Sequence, residues 1–176
     1  MSKSALFFSR NSLIFFILFC ILSRFFTSIF YIEDIDSLRF ALSISDYDVL
    51  SNRPHFPGYP LFCFILGIIY SVINIEAYCF SIIGGASIGF IIYFTNKIYI
   101  LFTKKENYTL FLILFFNPFL WLMSNRYMPD LFGLAFLIAG TYYFIHFLKY
   151  KNTKDLFFVG ICVGCLFGIR VSYIPF

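Results

Sequence analysis

The stretch EDIDSLRFALSISDYDVLSNRPHFPGYP at positions 33–60 is the one long polar interruption in a chain whose other runs are almost continuously apolar. That contrast limits the possible folds more than any other feature. The sequence is 61% hydrophobic and only 12% charged over 176 residues. A soluble domain of this size exposes too much surface for its volume to hide so many apolar side chains. Most of the chain must therefore be solvated by lipid. Five of the nine acidic residues (Glu33, Asp34, Asp36, Asp46 and Asp48) fall in the polar stretch. Ionisable groups at a membrane edge are costly to place, so such a cluster reads first as functional.

A helix needs about 20 apolar residues to cross a bilayer. Residues 11–32, 78–96, 108–124, 131–148 and 156–176 meet or approach that length, while 60–73 is apolar but short. The runs lack the alternation of barrel strands. The expected fold is all-α, a polytopic transmembrane helical bundle forming one membrane domain over 1–176. Basic clusters lie at Lys3/Arg10, Lys97/Lys104/Lys105 and Lys149/Lys151/Lys154. The positive-inside rule places them, and the N-terminus, in the cytoplasm. Loops 33–59 and 124–130 then share the outer face of the cell membrane. An odd number of crossings must separate 33–59 from the lysines at 97–105. Segment 60–96 is thus expected to cross once, either broken near Asn74 and Glu76 or preceded by a re-entrant or interfacial piece. Lys3 and Arg10 precede an apolar run without an A-x-A site, the pattern of an uncleaved signal anchor. The apolar run at Phe176 has no polar tail, and the expectation is a chain truncated at its C-terminus.

The formal net charge of +4 comes from basic residues near span ends. It reports topology, not nucleic-acid binding. Cys20, Cys63, Cys79, Cys162 and Cys165 are odd in number and irregularly spaced, which argues against a disulfide framework. The Cys162/Cys165 pair sits in GICVGCLFG, where small residues suit helix packing better than metal binding.

Several polar residues are candidates for chemistry. Arg24, inside the first span, either snorkels to the outer interface or supplies a cation for a phosphate. Glu33, Asp34 and Asp36 crowd four positions, so they are either a solvated helix end or provide a general base. Asp46 and Asp48 read as loop acids. His55 and Tyr59 lie in RPHFPGYP, whose prolines and Gly58 stiffen a turn that either forms a binding site or re-enters the membrane. Arg126 and Asp130 bracket the second outer loop, as a surface ion pair or as groups for a phosphate and a divalent ion. Asp130 also heads a helix and is a candidate N-cap. Arg170, inside the last span, needs a polar cavity or a partner.

Taken together these residues resemble the polytopic glycosyltransferases of the GT-C fold, which use lipid-phosphate sugar donors. The protein O-mannosyltransferase and aminoarabinose-transferase-like branch is the most similar. Asp36-Ser37-Leu38-Arg39-Phe40 resembles its D-E-x-x-Y loop motif, with serine in place of the second acid. His55-Phe56-Pro57-Gly58-Tyr59-Pro60-Leu61-Phe62 is similar to the H-x-P-G-Y-P-L-[FY] run of some branches. Asn117-Pro118-Phe119, Arg126-Tyr127-Met128-Pro129-Asp130, and Gly164, Gly168 and Arg170 resemble later elements. The likeness runs along the whole chain and corresponds to the amino-terminal third to half of a usual family member.

The resemblance implies transfer of a mannose- or pentose-like sugar from a polyprenyl-phosphate donor, with inversion, to a hydroxyl or phosphate of a glycan, lipid or protein. Asp36, with Asp34 as the alternative, would be the catalytic base. Arg24, Glu33, His55, Tyr59, Arg126 and Arg170 would contact donor or acceptor. Asp130 would be the metal ligand if magnesium or manganese takes part. Two other classes compete: an inactive module or small membrane scaffold, and a small transporter. The transporter would predict internal symmetry, which the sequence lacks.

Overall fold

The structure, a computed structural model, describes residues 10–105 and 107–176. Lys3 lies outside the described residues. Among them the chain forms eight α-helices and no strand. The helices are α1 (Arg10–Phe25), α2 (Ile35–Ser45), α3 (Pro60–Ile73), α4 (Glu76–Thr103), α5 (Tyr108–Phe115), α6 (Pro118–Met123), α7 (Asp130–Tyr150) and α8 (Thr153–Ile169). A 3₁₀ turn, Val171–Tyr173, follows α8.

Local chemistry explains most of these boundaries. The Asp34 carboxylate accepts from the Ser37 backbone N–H at 2.7 Å and starts α2. Asn107, Asn117 and Asn152 cap α5, α6 and α8 in the same way. Pro60 and Pro118 begin α3 and α6, where a missing N–H leaves no intrahelical bond unmade. Asn74, Lys104 and Lys151 take left-handed conformations that end α3, α4 and α7.

α4 is the central helix, about 42 Å long at the α-helical rise. Close approaches at its glycines fix its neighbours. Gly85 faces Cys20 and Ile21 while Gly89 faces Ile17, so α1 runs antiparallel to α4. Phe94 meets Tyr142 and Tyr143, and Lys149 reaches the Leu101 carbonyl, so α7 runs parallel to it. α8 returns antiparallel to α7, with His146 on Asp155 at one end and Gly133 on Arg170 at the other. α5 and α6, bent at Phe116–Asn117, follow α1 from Phe16–Phe111 to Arg24–Ser124.

One end of the bundle therefore gathers the lysines at 97–105 and 149–154. The other gathers residues 26–60, 124–130 and 170–173. α3 is about 21 Å long. It starts and finishes at this second end: Gly168 approaches Leu61 near its start, and Ile73 leads through two residues into α4.

α4 and α7 are long and apolar enough to cross a membrane, and Ser12–Phe25 and α3 are apolar but shorter. Large apolar side chains such as Phe15, Phe64, Phe119 and Phe157 stay exposed on the flanks. The chain is an all-helical membrane module. Its first helix stops at Phe25, earlier than the expected 32, because residues 26–34 leave helical geometry to hydrogen-bond with other segments.

Candidate active site

Asp36 sits in the first turn of α2. Its carboxylate takes Arg39 Nη1 at 3.1 Å, one turn along the same helix. The following loop is folded on itself by paired backbone bonds between Asp48 and Arg53 at 2.7 and 2.8 Å. Tyr47 then donates to the Gly58 carbonyl at 3.0 Å. Gly58 has φ +92°, and a Cβ there would meet the Tyr47 hydroxyl at 2.9 Å, so no other residue fits without strain. This fold-back turns His55 inward against the Phe40 ring, with centroids 5.5 Å apart.

His55 Nε2 lies 3.0 Å from the Tyr59 hydroxyl, and His55 Nδ1 lies 3.6 Å from Asp36 Oδ1. Arg170, at the end of α8, donates through Nη1 to Tyr59 at 3.3 Å and pairs through Nη2 with Asp130 at 2.9 Å. Asp36, His55, Tyr59, Met128, Arg170 and Ser172 line one cavity of about 340 Å³. Burial pushes the Tyr59 phenol up, with Arg170 acting against it. The phenol thus stays protonated and able to donate.

A second cluster lies beside the cavity. Arg126 bridges from 124–130 to Glu33 at 2.5 Å and to Asp34. Asn125 donates to the Thr27 carbonyl at 2.9 Å, and Tyr127 to the Ile29 carbonyl at 2.7 Å. These bonds strap segment 26–34 onto 124–127. The Asp34 carboxyl is held below the usual carboxylate range, first by the Ser37 backbone N–H and also by Arg126.

The structure gives three further residues defined partners. Arg24 does not snorkel, because it is wholly buried. Its guanidinium donates to Ser124 Oγ at 3.2 Å, Ser23 Oγ at 2.9 Å and the Phe115 carbonyl at 3.3 Å, and lies 3.8 Å over the Trp121 ring. It fastens α1 to the α5–α6 bend and does not line the cavity. Arg126 and Asp130 do not pair with each other; each has a partner from another segment. Asp130 is the first residue of α7, and Pro129 occupies the cap position without a side-chain bond.

Asp36, His55, Tyr59, Asp130 and Arg170 therefore come together in one connected chain of contacts. Glu33, Asp34 and Arg126 form the neighbouring strap. Arg39 and Ser172 join the site without standing out in the sequence. The i, i+3 spacing of Asp36 and Arg39 points to the first only once 35–45 is known to be a helix. Among the described residues no three His, Cys, Asp or Glu side chains converge, and the Asp130 carboxylate already holds a guanidinium.

Residues 53–176 match the family model described as dolichyl-phosphate-mannose-protein mannosyltransferase. The matched segment takes in His55, Tyr59, Arg126, Asp130 and Arg170 and begins after Asp36. No curated protein and no solved structure matches the chain.

Proposed function

Because this chain belongs to the dolichyl-phosphate-mannose-protein mannosyltransferase family, we propose that its polar end transfers a sugar from a polyprenyl-phosphate donor to an acceptor hydroxyl. The observation that carries this reading is a single cavity lined by both a carboxylate, Asp36, and a cation, Arg170. The donor's tail stays in lipid and its anomeric carbon enters at the interface. Asp36 accepts the proton of the acceptor hydroxyl as its oxygen attacks. The bond from the anomeric carbon to the phosphate oxygen breaks, and the electron pair leaves with the phosphate. A single displacement inverts the anomeric centre. Preorganised donors near the leaving group lower the barrier without reorganising at the moment of reaction.

Asp36 is better suited to the base role than Asp34. The Asp34 carboxylate is committed to the α2 cap and to Arg126. Asp36 faces the cavity and is bound by Arg39 on one oxygen. Arg170 is the natural phosphate ligand, since it lines the cavity and its Nη1 and Nη2 each make only one contact, to Tyr59 and Asp130, leaving further N–H donors. Arg24 and Arg126 spend their donors within the protein. The sugar is mannose-like in this reading, the acceptor face is the outer one, and the bundle crosses the membrane several times with the lysine-rich end in the cytoplasm.

Membranes carrying the chain, given polyprenyl-phosphate [³H]mannose, should incorporate label into an acceptor, and Arg170→Gln should raise the donor KM by roughly tenfold or more. An Arg170→Gln variant with unchanged donor KM would count against the phosphate assignment.

A further inference from the structure

His55 touches the proposed base without being needed as a base itself, and its partner Tyr59 is in turn bonded by Arg170, far along the chain. Arg170 can only donate, and it donates to the Tyr59 hydroxyl at 3.3 Å. With that oxygen accepting from the guanidinium, the hydroxyl hydrogen is free to be donated to His55 Nε2, 3.0 Å away. A neutral imidazole whose Nε2 accepts must carry its proton on Nδ1. That atom is buried, has no hydrogen-bond partner, and faces Asp36 Oδ1 at 3.6 Å. The gap is roughly half an ångström beyond a hydrogen bond. Catalytic contacts of this length often close when substrate binds.

We infer that His55 is a positioning residue for Asp36, its Nδ1–H tautomer set by the Arg170–Tyr59 contact so that the imidazole donates to the carboxylate. This rests on the reading of Asp36 as the base. The groups facing the imidazole are Asp36 from α2, which also holds Arg39, Tyr59 at the start of α3, and Arg170 with Asp130 behind it. During transfer the acceptor's proton moves to Asp36, and His55 keeps its own proton. The imidazole orients the carboxylate so that its free oxygen points into the cavity. Because Arg170 is also the proposed phosphate ligand, the chain from Arg170 through Tyr59 and His55 to Asp36 ties occupancy of the donor side to the geometry of the base.

The chain contains two histidines, so the tautomer can be read directly. The protein with ¹⁵N-histidine and a His146→Gln background, reconstituted in bilayers at about pH 8 where imidazoles are mostly neutral, should show His55 with its proton on Nδ1. Tyr59→Phe should shift it toward the Nε2–H form. A wild-type Nε2–H tautomer, or a tautomer indifferent to Tyr59→Phe, overturns the inference. In the transfer assay, His55→Asn places an amide N–H near the Nδ1 position and His55→Gln places one near Nε2. His55→Asn should keep most of the activity. His55→Gln and His55→Ala should lose roughly 10- to 100-fold in kcat/KM, the range for removing a hydrogen bond to a charged group. Equal losses in Asn and Gln variants would mean a merely structural histidine. Full transfer by Asp36→Asn would remove the base assignment and this inference together, whereas an Nε2–H tautomer removes the inference alone.

Discussion

Replacing Gly84 with alanine would put a Cβ 1.7 Å from the Ser124 carbonyl oxygen and 2.6 Å from its carbonyl carbon. Both obstacles are backbone, so no side chain can rotate away. α4 and the 124–130 segment would have to separate by more than an ångström. Overpacking of this kind costs about 1–3 kcal/mol and sometimes more. Alanine's better helix propensity returns about 1 kcal/mol. The clash is severe enough that a net loss of about 2 kcal/mol is expected. Gly67 in α3 and Gly164 in α8 have no heavy atom within 4 Å of an added Cβ. At those positions the propensity gain acts alone, and alanine should stabilise by up to about 1 kcal/mol. Thermal unfolding in detergent, followed by circular dichroism, should place Gly84→Ala about 4–8 °C below wild type and the two controls at or slightly above it. The displaced segment carries Arg126 and Tyr127, so Gly84→Ala should also weaken the strap onto residues 26–34. A Gly84→Ala protein as stable as the Gly67→Ala control would refute the packing of α4 against Ser124.

Asp34 gives a pH prediction. Its folded carboxyl lies below the ordinary range, so the stability its ionised form lends α2 is complete above the unfolded value and is lost as pH falls through the folded one. Asp34→Asn keeps a cap acceptor without titrating, and its melting temperature should fall less than that of wild type between about pH 5 and about pH 3. Arg126→Ala leaves Glu33 and Asp34 without their shared cation, and melting should report a loss of about 1 kcal/mol. Sidedness can be read by cysteine labelling, since four of the five native cysteines are buried and the fifth is half-buried. Ser51→Cys should react with an impermeant maleimide added outside intact cells, and Lys105→Cys should react only after lysis.

The membrane character and the gathering of acids at one end are legible in the sequence because they depend on composition and on runs of residue types. So is His55 beside Tyr59, which share one short rigid segment. α2 is not legible. Its buried face is Ser37, Phe40 and Ser43, while Ile35, Leu38 and Leu42 are exposed, so two serines point into the protein and three of its apolar residues point away. A pattern read for a soluble helix buries the opposite face. Arg24 shows the other limit. Its charge within an apolar run is visible, but its partner Ser124 is 100 positions away, and only the packing of α1 against α6 brings them together. The same holds for Arg126 and Glu33, 93 positions apart. The residues to look at are apparent from the sequence; which carboxylate each arginine holds is set by helix packing.

The most direct test compares Asp36→Asn with Asp34→Asn in membranes supplied with a labelled polyprenyl-phosphate sugar. If Asp36 takes the acceptor's proton, its replacement lowers kcat/KM by about 10²–10⁴-fold, while Asp34→Asn stays within a few-fold of wild type. Undiminished transfer by Asp36→Asn would contradict the account.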